Sequence, residues 1–479
     1  MVLETGATLL LVVSLFGIPS DEEIGWTQFR GPNGSGVSDA TDLPEKLGPK
    51  DHVAWRAEVP PGFSSPVVSE EHVFVTAHDG TRLLTICIDR WKGDVVWEKQ
   101  APQPLPAPSH GPNSPVSCSP VTDGSNVYAF FDAFGLVSYD KEGTERWRQP
   151  LDPIGNPYGM GSSPVIAGNR LLFLADGDTG SALLAFDTDT GKQAWKVDRP
   201  GSTHSFSSPV IYRPKEGPAE VIVSGAFQLV SYSLEKREKL WWVEGLAWQV
   251  KPVPIVHENR LFVLAYTVAP SELGLKKVSQ PWGRVVEEND KNGDGLISKE
   301  ETPEKDLLTY WFLYDVDKDG NLGESDWNIA LARNTARNGL FAFKLGGRGD
   351  VSESHELWHF RRTAGDIPSP VIYDGVLYVL KEGGILTSLD PDSGEMHRSE
   401  RIRTEDADAM DSYYASLVAA DGKLFAASHP GKVSVIRAGK EWEVLSIGDL
   451  GEEIWATPAI DESQVFVRTQ KALYCFENS

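Results

Sequence analysis

The residues whose types and spacing most clearly suggest chemistry lie in one acidic stretch past the middle of the chain. In DKNGDGLISKEE, from Asp290 to Glu301, oxygen-bearing side chains recur at alternate positions and a glutamate stands at position twelve. This spacing turns several oxygens toward one centre, as a hard cation such as Ca²⁺ requires, and Gly295 permits the tight turn. The predicted ligands of this first loop are Asp290, Asn292, Asp294, the backbone carbonyl of Leu296, Ser298 and Glu301.

A second copy of the same pattern follows shortly after the first. The sequence DVDKDGNLGESD, from Asp315 to Asp326, again alternates short oxygen-bearing side chains and places Gly320 at the turn. Position nine is a glycine that offers only water, and position twelve is an aspartate instead of a glutamate, so we expect a weaker or more magnesium-tolerant site. The predicted ligands are Asp315, Asp317, Asp319, the backbone carbonyl of Asn321 and Asp326.

The segment around both loops is short and strongly acidic. Residues 285–330 contain 13 acidic and 4 basic residues, so bound cations would relieve the repulsion within the segment. The loops resemble an EF-hand pair, but only Thr302–Tyr314 separates them, enough for one helix about 20 Å long. We therefore expect a compact structural calcium module and not a sensor. The apolar face of that helix is predicted to consist of Leu307, Leu308, Trp311, Phe312 and Tyr314.

A repeat organises the rest of the chain and must position these loops. Each copy opens on Ser-Pro-Val or a variant of it, continues through short alternating strands, and closes on Gly and Trp, as in residues 161–197. Four short antiparallel strands per copy are typical of a propeller blade. The anchors are separated by 54, 44, 45, 45, 116, 47 and 41 residues. They are Pro66, Pro120, Pro164, Pro209, Pro254, Pro370, Leu417 and Pro458.

These intervals predict an all-β fold of eight blades in one domain, residues 21–479. The long interval places an insertion, residues 269–338, between the second and third strands of blade five. The last copy lacks a fourth strand, and HVAWRAEV, from His52 to Val59, supplies one with its own Trp55, so the ring closes without an exposed edge. Blade-closing tryptophans are expected at Trp97, Trp147, Trp195, Trp241, Trp358 and Trp442, with Arg398 at this position in the sixth copy.

The Ser-Ser-Pro-Val openings and the ending DTDTGKQAW, from Asp187 to Trp195, resemble the tryptophan-docked repeat of pyrroloquinoline quinone propellers. The leader WTQFRGPNGSG, from Trp26 to Gly36, is similar to the opening of exported bacterial members of that group. The resemblance covers the chain from about Trp26 to its end, apart from the insertion. It implies the fold more specifically than the function, because the group also includes non-enzymatic scaffolds of the BamB type.

The resemblance also implies an enzymatic alternative. Quinone dehydrogenases of this group stack their cofactor between a Trp and a vicinal Cys pair, and ring-lining carboxylates hold calcium beside it. The three cysteines here, Cys87, Cys118 and Cys475, are far apart, and the calcium pattern lies on an insert. Pyrroloquinoline quinone is therefore an alternative cofactor that no motif of the chain supports. No catalytic residues are assigned.

Charge and the first residues indicate where the protein works. The formal net charge of −24 opposes binding to nucleic acid or to an anionic lipid surface. The apolar run from Gly6 to Pro19 is too short to span a bilayer comfortably and is followed by three acids, which favours a signal peptide over residues 1–20. We expect an exported, periplasmic or extracellular protein with no membrane span in the mature chain.

The loops that precede the first strands should converge on one end of the ring. They carry aromatic and charged side chains suited to a funnel for a ligand or peptide. Capping of the channel is the alternative role. These residues are His110, Asn113, Tyr158, Met160, His204, Trp248, Lys251, Asp366, Asp411, Tyr413, Tyr414 and Trp455.

One further motif imitates a metal site. HELWH, from His355 to His359, matches the zinc-protease pattern, which requires a helix. Because Trp358 is a predicted blade-closing residue, we expect a strand there, in which residues four apart are separated by roughly 13 Å and cannot share a metal.

Taken together, the sequence favours an exported calcium-binding propeller that acts as a binding or scaffold protein in the cell envelope. A quinone-dependent or other small-ligand oxidoreductase, with its site in the funnel, is the competing hypothesis.

Overall fold

The ring of blades expected from the repeat is present. A computed structural model describes residues 25–104, 113–178, 180–268, 277–302, 305–362, 365–403 and 411–478. These residues form eight sheets of four antiparallel strands, and in blades one to seven these four strands follow one another in chain order from the centre outward. The first strands of neighbouring blades lie side by side around a central channel, and that of blade eight lies beside that of blade one. The apolar core lies between adjacent sheets.

The strands are short, as the turn-rich repeat predicts. Blades one to four comprise Val67–Val68, His72–His78, Arg82–Asp89 and Val95–Pro104; Val121–Thr122, Asn126–Phe131, Gly135–Asp140 and Glu145–Pro150; Val165–Ala167, Arg170–Ala175, Ala182–Asp187 and Gln193–Asp198; Val210–Tyr212, Glu220–Ser224, Gln228–Ser233 and Lys239–Glu244. Blades five to seven comprise Ile255–His257, Arg260–Ala265, Gly339–Lys344 and Glu356–Phe360; Val371–Tyr373, Val376–Leu380, Ile385–Leu389 and Met396–Arg401; Val418–Ala420, Lys423–Ala427, Lys432–Arg437 and Glu443–Asp449. The pair Gly349–Asp350 adds a short parallel strand outside blade four.

Blade eight confirms the predicted closure of the ring. Its strands Ala459–Asp461, Gln464–Arg468 and Ala472–Phe476 come from the end of the chain, and Val53–Glu58 supplies the fourth. This closing strand pairs antiparallel with the last strand, with Trp55 opposite Cys475. Its indole N–H donates to the carbonyl oxygen of Arg90 in blade one at 2.8 Å. The two ends of the chain therefore meet in one sheet.

Tryptophans dock successive blades. The Trp147 indole donates to the Thr188 carbonyl of the next blade at 2.8 Å, and its ring lies against Gly191. A Cβ at Gly191 would lie 2.4 Å from that ring, and φ there is +68°, so the turn requires glycine. Trp97 and Trp358 make the equivalent bonds to Lys141 and Pro391.

The expectation for blade seven was wrong. Ser388 faces Arg398 across the third and fourth strands of blade six, and the same register in blade seven places Ser446 at the docking position. Trp442 lies just before the fourth strand, which begins at Glu443. Its ring instead covers the guanidinium of Arg398 at 4.5 Å, so the cation of blade six docks on the ring of blade seven.

In the described part of the chain, four short helices lie between the second and third strands of blade five, where the sequence places the insertion. Its described part holds the helices α1 (Trp282–Asn289), α2 (Lys305–Thr309), α3 (Trp311–Tyr314) and α4 (Glu324–Thr335). The single helix expected between the loops is broken at Tyr310 into α2 and α3. Of its predicted apolar face, Leu308 and Phe312 are exposed, by 41% and 67%. The other three residues of that face, Leu307, Trp311 and Tyr314, are buried in the small core of the insertion.

The signal peptide expected at residues 1–20 lies outside the described residues. Within the described ranges, no helix has the length and apolar character needed to cross a bilayer.

Candidate functional site

A ring of hydroxyl groups surrounds the channel where the first strands begin. Seven of the eight residues just before the anchor positions are serine or threonine, and in each of these the hydroxyl oxygen lies next to the preceding blade. In seven bonds among the described residues, the backbone N–H of one blade donates to the hydroxyl of the next, at 2.8–3.0 Å. Blade five has no hydroxyl here. The ring consists of Ser65, Ser119, Ser163, Ser208, Ser369, Ser416 and Thr457.

The segment after residue 25 plugs the channel on one side of this ring. The carbonyl oxygens of Trp26 and Thr27 accept backbone N–H groups from Val68 in blade one and Thr122 in blade two. The side chain of Asn33 makes two 2.8 Å bonds to the backbone of Ile211 in blade four. The segment therefore crosses the channel and joins first strands that are distant in sequence.

Arg30 lies at the centre of this plug and is fully buried. Its guanidinium donates to the carbonyl oxygens of Gly34, Ser35, Pro370 and Leu417 at 2.6–3.2 Å. No carboxylate among the described residues pairs with it, and burial lowers the pKa of Arg30 to about 9. A cation is thus held in the channel by carbonyl dipoles alone.

A cavity of about 370 Å³ opens on the other side of the plug, with Phe29 in its lining. Residues of the hydroxyl ring line the cavity, and aromatic side chains line its mouth. Trp455 is stacked between Phe63 and Tyr414, with ring centroids 4.4 and 4.5 Å apart. Of the predicted funnel residues, those that line the cavity are Asn113, Tyr158, Lys251, Tyr414 and Trp455.

The cavity lining contains little that could transfer a proton or an electron pair. Its one charged side chain among the described residues is Lys251, whose Nζ is 2.5 Å from Asp366 Oδ1. The described lining contains no Asp, Glu, His or Cys. The described lining therefore differs from the set of carboxylates and vicinal thiols that the resemblance implies for a quinone and its metal.

The other predicted funnel residues that the structure describes do not line the cavity. Met160, Trp248 and Tyr413 are buried behind the cavity. His204 is also buried, with Nδ1 2.5 Å from Asp178 Oδ1 and Nε2 2.6 Å from Gln249 Nε2. Asp411 pairs with Lys432 at 3.2 Å, and His110 lies outside the described residues.

The cysteines are buried between the sheets. Cys87, Cys118 and Cys475 are free thiols in three different blades, and burial raises the pKa of each of them. Because the thiolate is the reactive form, we expect the folded protein to resist alkylation by iodoacetamide at pH 8 and the urea-unfolded protein to take up three labels. Mass spectrometry of both samples checks this, and fast labelling of native protein would contradict the burial.

The predicted strand at the zinc-protease pattern is confirmed. Residues Glu356–Phe360 form the fourth strand of blade five, with Trp358 at the docking position. His359 Nε2 is 3.0 Å from the carbonyl oxygen of Asn338, which gives this ring a structural partner.

The first acidic loop folds around its own backbone N–H groups. Asp290 accepts from Gly293 at 2.7 Å and from Gly295 at 2.9 Å. Glu301 reaches back to the loop, and the hydroxyl and N–H of Ser298 lower the pKa of Glu301 to about 2. The carboxylates at positions one and twelve, Asp290 and Glu301, are therefore both turned toward the backbone of the loop.

The second loop brings its carboxylates closer together. One oxygen from each of Asp315, Asp317 and Asp319 lies within 4.8 Å of the others. Asp315 is only 6% exposed, and its Oδ1 has no hydrogen-bond partner among the described residues. Asp326 at position twelve is held by the N–H groups of Val316 and Gly323, each at 2.9 Å. A buried carboxylate oxygen without a donor, beside two other carboxylates, is what a cation would compensate.

The two loops also pair with each other. Ile297 and Leu322, the eighth residue of each loop, exchange backbone hydrogen bonds of 3.0 and 2.9 Å. Both side chains are 1% exposed and pack with Val285, Trp311 and Trp327. The insertion thus has its own core, with Ile297 of the first loop in it.

Comparisons with known proteins agree with this architecture. No curated protein matches the chain. BamB from Moraxella catarrhalis is 9% identical with a TM-score of 0.55, over 89% of this chain and 97% of that chain. A europium-containing methanol dehydrogenase is 11% identical with a TM-score of 0.59, over 96% and 99%. Quinohemoprotein alcohol dehydrogenase from Comamonas testosteroni is 12% identical with a TM-score of 0.56, over 95% and 80%.

At these identities the solved structures show the fold and leave the activity open. The family model described as outer membrane protein assembly factor BamB matches residues 49–155, 109–216 and 348–479. These ranges cover blades on both sides of the insertion and more than half of the chain. The chain therefore belongs to the BamB family of PQQ-like β-propellers.

Proposed function

We propose that this protein is an exported, calcium-binding propeller that acts as a binding or scaffold protein, with its ligand held at the channel mouth. The observation that supports binding over catalysis is the cavity itself, an aromatic cup above a plugged channel. Its hydroxyl ring and the Lys251–Asp366 pair offer polar contacts at fixed positions. A protein or peptide segment with an apolar side chain and exposed backbone acceptors fits such a cup.

Export is supported by the apolar run from Gly6 to Pro19 and by the envelope location expected for this family. Expression of the full chain followed by fractionation and N-terminal mass analysis tests it. A cytoplasmic, unprocessed chain would contradict export.

Absorbance of the purified protein with added pyrroloquinoline quinone tests the choice between binding and oxidation. We expect no stoichiometric chromophore and no dye-linked turnover of alcohols, because the described lining has no thiol pair and no carboxylates. A bound chromophore with turnover would overturn the binding role.

Calcium binding is proposed for both loops, and the unpartnered Oδ1 of Asp315 is its strongest support. We expect two calcium events in calorimetry of the calcium-free protein. Asp315→Asn with Asp317→Asn should abolish one event, since two negative ligands disappear from a site that needs them. Asp290→Asn with Glu301→Gln should abolish the other, and it serves as a control matched in charge.

Thermal unfolding and circular dichroism show whether each variant keeps the propeller. Two unchanged calcium events in both folded double variants would make the ligand assignment wrong.

A further inference from the structure

We infer that calcium in the second loop sets the shape of one wall of the mouth cavity, so that the cavity is regulated by calcium. This inference rests on the proposed calcium binding and on the cavity as the binding site. It assigns the insertion a role toward the propeller beyond ordering its own segment.

The first step is the contact between the insertion and the propeller. Val316, the second residue of loop two, and Ile329 of α4 pack with Ala226, Phe227 and Trp248 of the propeller. Val316, Ile329 and Trp248 are at most 8% exposed. This interface is apolar and closed to solvent, so a shift on one side must be accommodated by the other.

Further contacts hold α4 against the same tryptophan. The guanidinium of Arg333 lies 4.5 Å from the centre of the Trp248 ring, and its Nη1 donates to the carbonyl oxygen of Leu313 at 2.9 Å. After α4, the N–H of Arg337 donates to the carbonyl oxygen of Gly245 at 2.9 Å. The insertion thus contacts the segment 245–248 both through side chains, at Trp248, and through the backbone, at Gly245.

The second step leads from Trp248 into the cavity. Its indole N–H donates to Thr203 Oγ1 at 2.7 Å, which ties it to the loop before blade four. The next residue, Gln249, lines the cavity and contacts His204, and Lys251 lines it two residues later. The segment that the insertion holds is therefore continuous with the cavity wall.

The third step leads from the cation to Val316. Val316 follows Asp315 directly, and its N–H donates to Asp326 Oδ1 at 2.9 Å. Asp315 and Asp326 are the first and last predicted ligands of loop two, so an ion between them fixes Val316 from both sides. The buried apolar residue of loop one, Ile297, by contrast, packs within the core of the insertion. The structure thus assigns the coupling to loop two and not to loop one.

Hydrogen exchange of the backbone amides of residues 245–251 in the full chain, with calcium or with a chelator, tests the coupling. We expect exchange there to be about fivefold slower or more with calcium, which is the low end of coupling between linked sites. The amides of residues 423–427, in blade seven, should exchange at the same rate in both conditions and serve as the internal control.

Three variants distinguish coupling through loop two and Val316 from coupling through loop one. Asp290→Asn with Glu301→Gln should keep the protection, and Asp315→Asn with Asp317→Asn should lose it. Val316→Ala should keep the calcium heat of loop two but reduce the protection, because only the apolar contact is shortened.

The outcomes distinguish the coupling from the calcium proposal. Absence of any calcium heat in the wild-type protein overturns calcium binding itself. A calcium heat from loop two with unchanged exchange at 245–251 overturns the coupling alone, as does equal loss of protection in the loop-one variant.

Discussion

Replacing Arg30 by alanine is expected to lower the free energy of unfolding by about 3–5 kcal/mol. The side chain is fully buried, and its loss leaves four carbonyl oxygens without their donors, those of Gly34, Ser35, Pro370 and Leu417. Two of these carbonyls belong to the plug and two to blades six and seven, so the variant also separates the plug from the ring. Urea unfolding followed by circular dichroism measures the effect.

Two controls identify the cause. Arg30→Lys keeps the charge but cannot reach four carbonyls with one ammonium group, so we expect it to recover less than half of the loss. Arg348→Ala removes an exposed arginine and should change stability by less than about 0.5 kcal/mol. Full rescue by lysine would show that charge, and not the fork of donors, holds the plug.

The place of Arg30 could not be predicted from the sequence. It stands in a polar leader rich in glycine, and an arginine in such a segment is normally exposed. Only the channel, which forms when eight sheets close, supplies carbonyls from residues as distant as Pro370 and Leu417. The leader looked like a family signature, whereas in the structure it is the channel plug.

The blades, by contrast, could be predicted because each repeats the same short-range pattern. The regular anchors fix eight sheets, and the missing strand of the last copy fixes the closure through Trp55. The same repeat contained the signal for the hydroxyl ring, a Ser or Thr before seven anchors. That signal was missed because a serine before proline also suits an ordinary turn.

Periodicity predicted the position of individual side chains less reliably than it predicted the strands. Trp442 has the residue type of a docking tryptophan but stands four positions before the docking register of blade seven, where Ser446 lies. Leu308 and Phe312 fit a helical stripe that the break at Tyr310 interrupts. In the two acidic loops the pattern predicts a set of ligands, whereas the contact of Val316 with Trp248 depends on packing between distant segments.

Replacing Trp55 by alanine is expected to lower the free energy of unfolding by about 3–5 kcal/mol and to open the seam between the two ends of the chain. Trp55 is 8% exposed, and its ring packs against Gly93 and Phe466. Polar contacts also cross the junction of blades one and eight, among them the pairing of Arg90 in blade one with Asp461 in blade eight at 2.6 Å. Thermal and urea unfolding give the stability change.

Trp97→Ala is the matched control for the seam, because Trp97 makes the same docking contact between blades one and two. Both variants lose a buried indole, but only Trp55 stands on a strand that no turn connects to its neighbour in the sheet. We therefore expect faster hydrogen exchange of residues 472–476 in Trp55→Ala and not in Trp97→Ala. Leu357→Ala, which shortens a side chain that is 50% exposed in blade five, should change neither measurement appreciably. Equal exchange of residues 472–476 in the Trp55 and Trp97 variants would show that the closing strand Val53–Glu58 is no less stable than the strands of the other blades.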